Sequence, residues 1–327
     1  MKAILLDGFG GPEVMRLGEA TRPEPGEGEV RIKVAATSVN RADTVQRRGN
    51  YPPPPGASEI LGLEAAGVVD RVGPGVTHWR PGDRVMALLT GGGYAEYALA
   101  DAGHLMAVPE AMDLETAAAI PEVYITAFLN LFLIGGLSDG DTVLLHGGGG
   151  GVNTAAIQIC RALLSHCRIL VTASPGKIAR VKALGADRVI DYRNENFAEV
   201  VRDFTGGAGA DVILDHIGAD YLAKNQAALA VQGRLVVIGL MGGATGQINL
   251  GIMMVKRQRI IGSVLRALPK ERKTAIVTVF TERVLPHIAQ GDCRPLIHRA
   301  LPLAAAADAH AEMEASGHFG KIVLQVS

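Results

Sequence analysis

Five consecutive glycines, Gly147 to Gly151, stand between two segments of opposite periodicity. Ahead of them Thr142-Val143-Leu144-Leu145-His146 reads as a short buried strand. Behind them Val152, Ala155, Ala156, Ile159 and Leu163 recur at helical spacing, in a segment ending near Ser165. Strand, tight turn and helix form the front of a βαβ unit. That geometry aims free backbone N–H groups and the positive helix end at one spot, which suits a pyrophosphate. The register is Gly147-x-x-Gly150-x-x-Asn153, so an asparagine replaces the third glycine of the usual fingerprint. Taken alone, a flexible glycine turn with no ligand is the simpler explanation, and the context decides.

The context is that of a globular protein of 327 residues, long enough for two domains. A net charge of −1 leaves no electrostatic footprint for nucleic acid or an anionic membrane. The longest apolar runs, such as Leu129–Ile134, are far short of a membrane span. The start, Met1 to Asp7, is too short and too soon acidic for a signal peptide, and it reads as a first strand. Cys160, Cys167 and Cys293 are odd in number and scattered, which favours a reducing cytoplasm.

The first third is β-rich, with strands expected at Val30–Val34, Ala65–Val72, Asp83–Leu88 and Tyr94–Leu99, punctuated by Gly and Pro turns. Tyr51 is followed by Pro52 to Pro55, a stiff extended loop. From about residue 122 strands alternate with helices. The strands are expected at Arg168–Ala173, Arg188–Tyr192, Asp211–Asp215, Arg234–Gly239 and Ile260–Leu265, with helices at Pro175–Leu184 and Phe197–Thr205 among them. Alternation of this kind predicts a doubly wound parallel sheet. The tail carries helices at Lys270–Ala289 and Leu303–Ala315 and a strand at Lys321–Val326, and it belongs with the first domain. The expected division is 1–121 with 266–327, and 122–265.

In a dinucleotide fold an acid at the tip of the second strand binds the 2′-hydroxyl of the adenosine ribose. Here that strand ends Val171-Thr172-Ala173-Ser174, with Lys177 shortly after. A hydroxyl and an ammonium in place of an acid fit a phosphate dianion, which favours NADPH over NADH. Tyr192 can donate a further hydrogen bond to that phosphate. Gly218 and the stretch Gly239 to Gly243 close strands on the edge where a nicotinamide ribose would lie. His146 and His216 end strands and read as satisfied or partly exposed histidines.

The layout resembles the medium-chain dehydrogenase/reductase superfamily over essentially its full length, in the quinone oxidoreductase branch. Ser38-Val39-Asn40-Arg41-Ala42-Asp43, Leu61-Gly62-Leu63-Glu64-Ala65-Ala66-Gly67, Pro81-Gly82-Asp83-Arg84-Val85, Thr126-Ala127-Phe128 and the glycine turn carry the likeness. Ala183-Leu184-Gly185-Ala186-Asp187 and Gly320-Lys321-Ile322-Val323 add to it. Within the branch, the run from Arg47 to Gly56, Gly239-Leu240-Met241-Gly242-Gly243 and Val284-Leu285-Pro286-His287 look most like the p53-inducible type. The resemblance implies a GroES-like domain built from both chain ends, a Rossmann NADPH-binding domain between them, an active cleft at their junction and usually a homodimer. It puts Asn40, Thr126, Gly147, Gly150, Gly151, Val152, Ser174, Lys177, Tyr192, Gly218, Gly239, Met241, Phe319 and Lys321 at the cofactor.

Zinc-dependent relatives carry a cysteine at Asn40 and a histidine at Leu63, and neither residue here is a normal zinc ligand. Zinc catalysis is therefore not expected, and the acceptor must already be electron-poor and conjugated, as quinones and activated enones are. Hydride transfer to a quinone leaves a resonance-stabilised anion, so orientation and a few donors suffice. Asn40 is the first candidate for these roles, with Tyr51 and Tyr124 as candidates for lining the quinone pocket. Asp43 is expected to orient backbone. Two alternatives stand beside this reading: an NADPH-dependent enone or enoyl-thioester reductase, in which a tyrosine acts as acid, and a non-catalytic NADPH-binding protein.

Overall fold

Val30, Ile32 and Val34 alternate with polar neighbours, and their apolar faces become the centre of a seven-stranded sheet. The computed structural model of the chain describes residues 1–326. Its first unit comprises Met1–Ile125, Leu265–Gly291 and the tail from Pro295. There β1 (Lys2–Leu6) and β2 (Met15–Glu19) form a separate antiparallel ribbon. β3 (Glu29–Ser38) pairs antiparallel with β4 (Glu64–Val72), which passes the sheet on to β5 (Arg84–Leu88). β6 (Tyr97–Asp101) pairs with β3, and β7 (Leu105–Ala107) with β5. Val30, Ile32, Val34, Val69, Val85 and Leu89 share one core. Each large aliphatic side chain buried this way contributes about 1.5–3 kcal/mol.

Short helices mark the ends of these strands. α1 (Arg41–Arg47) follows β3 directly, with Asn40 as its extended N-terminal flank. α2 (Leu114–Ala117) is capped by Asp113, whose side chain accepts from Thr116 N at 2.6 Å. α3 (Pro121–Phe128) opens on a proline, whose missing N–H costs nothing at a first helical turn.

The second unit, Thr126–Val264 with Asp292–Arg294, holds the alternation seen in the sequence. Its sheet consists of β8 (Thr142–His146), β9 (Arg168–Ala173), β10 (Arg188–Asp191), β11 (Ala210–Asp215), β12 (Leu229–Val237) and β13 (Arg259–Gly262). The spatial order is β10-β9-β8-β11-β12-β13 and every pairing is parallel. The order reverses beside β8, so the crevice for a ligand opens at its carboxyl end, where the glycines lie. The intervening helices are α4 (Gly151–Leu163), α5 (Ile178–Ala183), α6 (Phe197–Phe204), α7 (Ala219–Ala228) and α8 (Leu250–Lys256). Leu144, Leu170, Ile190, Ile213 and Leu235 make the inner layer of this core, with Phe197 and Val201 from α6 packed on it.

The tail returns to the first unit. One helix expected over Lys270–Ala289 is two, α9 (Lys270–Arg283) and α10 (Leu285–Gln290), separated at Val284. Pro286 explains the break, because a proline cannot continue a helix but is accommodated in a first turn. β14 (Ile297–Pro302) and β15 (Lys321–Gln325) pair parallel, with α11 (Ala306–Ala315) between them, and β15 adds antiparallel to β3. β12 also starts five residues earlier than expected, through an irregular stretch where Gln232 takes φ 63°. The three cysteines are not scattered in space. A hydrogen bond with Cys167, and after it burial, pushes the Cys160 thiol well up, and Cys293 lies close enough to add to it.

Candidate active site

At the end of β3 the chain turns into α1 and delivers Asn40 into a buried polar corner. Its Nδ2 donates to Glu64 Oε1 at 2.8 Å, and its Oδ1 accepts from Lys321 Nζ at 2.7 Å. The same ammonium donates to Glu64 Oε1 at 2.9 Å and to Val39 O at 3.1 Å. Ser38 Oγ also donates to Glu64 Oε1, while Glu122 N reaches Oε2 at 2.8 Å. Lys321 and Glu64 are both fully withdrawn from solvent, so each depends on the other for charge balance. The three N–H groups of Lys321 are all used. Lys321, expected at the cofactor, directs these three bonds to Val39 O, Asn40 Oδ1 and Glu64 Oε1.

Asp43 sits one helical turn on. Its carboxylate accepts from Asn40 N at 2.8 Å and from Gly62 N at 3.1 Å, so it fixes backbone as expected. Behind it runs a chain of polar groups. Arg47 Nη1 meets His310 Nδ1 at 3.1 Å, and His310 Nε2 meets Tyr94 Oη at 3.0 Å. Arginine only donates, so Nδ1 accepts and the proton rests on Nε2. Burial, with Arg47 beside it, holds the His310 imidazole down at about 3. Burial raises Asp43 to about 6 against the pull of its backbone bonds.

Tyr51 is half-buried at the start of the proline loop, and burial pushes its phenol up. Tyr124 lies on α3 and is enclosed in the core, so only Tyr51 keeps exposed ring surface. Phe319 is likewise buried. Two neighbours escaped sequence reasoning. Burial and the Glu64 carboxylate push Glu122 up to about 8, and Arg266 stacks over the Tyr51 ring at 5.2 Å. No motif flags either, because their partners are remote in the chain.

The glycine turn in the second unit is braced from three sides. Gly147 takes φ 78°, and a Cβ there would lie 2.7 Å from His216 Nε2. A side chain at Gly148 would overlap Val171, and one at Gly149 would overlap the stem of Lys177. Lys177 therefore lies against the turn at Gly149, and α4 opens two residues later with first-turn N–H groups that a helix leaves without intrahelical acceptors. Gly150 is the N-terminal flank of α4. Asn153 bonds nearby backbone: its Nδ2 donates to His146 O, at the end of β8, and to Gly147 O, the latter at 3.1 Å. Its Oδ1 is buried without a partner.

His146 is a satisfied core histidine. Nε2 meets Asn225 Oδ1 at 2.7 Å and Nδ1 meets Thr172 Oγ1 at 3.2 Å, with Phe197 and Tyr221 edge-on at 4.8 Å. Burial lowers it to about 3. Gly218, at φ 85°, would push a Cβ to 2.6 Å from Gly243 O. Gly239 packs on His216 and Met241 N donates to His216 O at 3.1 Å, so Gly218, Gly239 and Met241 share one edge, with Met241 55% exposed. Ser174 precedes the short turn Pro175–Lys177, Tyr192 is exposed after β10, and the Thr126 carbonyl accepts from Asn130 Nδ2 at 2.7 Å.

Residues 26–110 match the family described as Alcohol dehydrogenase GroES-like domain, and residues 184–324 match Zinc-binding dehydrogenase. The quinone oxidoreductase of Rattus norvegicus is 34% identical over 99% of this chain and 97% of its own length. The chain belongs to the medium-chain dehydrogenase/reductase family, in its quinone oxidoreductase branch. The human synaptic vesicle membrane protein VAT-1 homolog is 31% identical over 99% of this chain and 86% of its own. The Escherichia coli quinone oxidoreductase complexed with NADPH superposes with TM-score 0.89, at 29% identity and full coverage of both chains. The protein is thus an oxidoreductase of this family, and no helix among the described residues is long and apolar enough to cross a membrane.

The residues fit the two groups the family implies unequally. A glycine cradle that side chains would fill, next to a lysine, suits a dinucleotide phosphate. At the corner matching the zinc position, Asn40 Oδ1 and Glu64 Oε1 already hold an ammonium, and Leu63 is apolar. That donor set does not fit zinc.

Proposed function

We propose that this family member is an NADPH-dependent, zinc-independent quinone reductase. The observation that carries the reading is the Lys321 ammonium held by Asn40 and Glu64, a fixed cation where a zinc-dependent relative needs open metal ligands. Without a Lewis acid the protein cannot readily polarise a simple ketone, so its acceptor is already electron-poor. When bound, NADPH supplies a hydride from its dihydronicotinamide ring. Gly147, Gly150, Gly151 and Val152 receive the pyrophosphate, and Ser174, Lys177 and Tyr192 the 2′-phosphate. Gly218, Gly239, Met241 and Thr126 border the nicotinamide ribose. Asn40 keeps one Nδ2 hydrogen facing only Ser38 O at 3.5 Å, which leaves it able to donate to a ligand. Tyr51 offers its ring face to a flat acceptor, with Tyr124 supporting the pocket from within.

The same reading makes the protein cytoplasmic and homodimeric. Its dimer surface would be the β13 edge with exposed Leu250, Met254 and Val255 of α8. Steady-state turnover of 1,2- and 1,4-quinones beside a short enoyl thioester, with NADPH and then NADH, tests the function. Faster thioester turnover transfers the site to enoyl reduction, and NADPH binding without any turnover makes it a binding protein.

A further inference from the structure

Arg266 follows the sheet of the second unit in sequence but belongs to the first unit, where it is only 6% exposed. Its Nε donates to Thr90 O at 2.8 Å and its Nη1 to Tyr51 O at 3.4 Å. Its Nη2 is buried without a hydrogen-bond partner. The guanidinium carbon lies 5.2 Å over the Tyr51 ring centroid. Both of these bonds go to neutral carbonyls, so a buried cation has neither a bonded carboxylate nor a use for its outer nitrogen. An uncompensated charge in such a place is costly, and so is an unmade bond at a charged donor.

The groups around it do not supply the missing anion. Lys273, whose Nζ donates to Arg266 O at 3.3 Å, is a second cation. Burial favours the neutral phenol of Tyr51 and the neutral acid of Glu122, raised to about 8. Asp43 commits its carboxylate to Asn40 N and Gly62 N. A planar, permanently charged fork stacked on an aromatic face, with one nitrogen lacking a hydrogen-bond partner, matches an oxygen anion on a flat ring.

We propose that Arg266 is the acceptor-binding cation of this site, with Nη2 donating to a carbonyl oxygen of a ring stacked on Tyr51 and holding that oxygen as it becomes a phenolate. The proposal rests on the reductase reading above. A hydride passes from NADPH to the quinone, NADPH is oxidised to NADP⁺, and the quinone becomes the hydroquinone monoanion, which takes a proton from water after release. No bond to arginine forms or breaks. Arg266 supplies charge where charge develops, as oxyanion donors do.

The test uses a redox-inert phenol, 4-nitrophenol, titrated by absorbance on the full-length protein with NADP⁺ present. Wild type is expected to bind the phenolate about tenfold more tightly than the phenol, a preference that a charge-assisted hydrogen bond supplies. Arg266→Gln should lose that preference, and Arg266→Lys should keep part of it. With a 1,4-quinone, Arg266→Gln should lower kcat about 100-fold, the size of losing one oxyanion donor, with the NADPH dissociation constant unchanged. Phenolate preference lost in the variant while wild type reduces no quinone would sink the reductase reading and leave this site standing. Absence of the preference in wild type, or its full retention in Arg266→Gln, overturns the proposal. If Arg266→Gln does not fold, Arg266→Lys decides: an unchanged preference and an unchanged kcat overturn it.

Discussion

Asn40 and Asn153 are both buried asparagines at the start of a helix that follows a strand, and they are satisfied in opposite ways. Asn40 spends its amide on charged groups, giving a hydrogen to Glu64 and receiving one from Lys321. Asn153 spends its amide on backbone, pinning the His146 and Gly147 carbonyls, and leaves Oδ1 with no partner. One corner is a closed electrostatic circuit around a fixed cation. The other is a mechanical brace on a glycine turn. The first governs chemistry and charge, the second geometry, and substitutions should separate the two.

The largest effect is expected at the charged corner. Lys321→Met leaves the Glu64 carboxylate buried without its cation, which should cost about 3–5 kcal/mol in urea unfolding. Adding Glu64→Gln should restore a good part of it; equal and additive losses would show that the pair is not coupled. At the brace, Asn153→Asp faces two carbonyl oxygens with an acceptor and should cost about 3 kcal/mol. Asn153→Gly loses the brace and adds a glycine to a helix, for about 1 kcal/mol. From the sequence alone, glycine at this position would be expected to tighten NADPH binding by restoring the fingerprint. With the side chain holding the turn in shape, the expected outcome reverses to a several-fold weaker dissociation constant by fluorescence titration. Tighter binding would mean that Asn153 obstructs the turn instead of bracing it.

The charged corner should also carry pH dependence that the brace lacks. Glu122 is raised from 4.5 to about 8, so the folded state holds its proton more firmly than the unfolded chain does. Stability from this group is present below 4.5 and is lost as pH rises through about 8. Glu122→Gln should flatten the fall in urea midpoint between pH 5 and pH 8.5, roughly the window those two values span, whereas Asn153→Gly should leave the slope as it is. The most local effect is expected at the glycine turn itself. Lys177→Ala should weaken NADPH binding about tenfold, the worth of a charge-assisted contact, and leave NADH almost untouched. An equal loss for both cofactors would place Lys177 on the pyrophosphate.

Much of the second unit was legible because period and punctuation agree there. Arg168–Ala173 was delimited by its apolar run and the following Ser-Pro-Gly, and the glycine turn by its neighbours. The charged corner was only half legible. Asn40 and Glu64 stood in recognisable motifs, but the bond from Lys321 to Asn40 spans 281 positions, and nothing local records it. Arg266 reaches Tyr51 across 215 positions, and its significance is an unmade bond, which no pattern of residue types encodes. The break at Val284 was readable from Pro286 and lost to the length of the helical pattern around it.

The central claim is that a lysine ammonium holds the corner where a zinc-dependent relative would hold metal. The most direct test is NADPH-driven reduction of a 1,4-quinone, followed by NADPH absorbance, before and after exhaustive treatment with a strong zinc chelator and again after zinc is returned. The account predicts the same turnover in all three conditions. Activity abolished by the chelator and restored by zinc would contradict it.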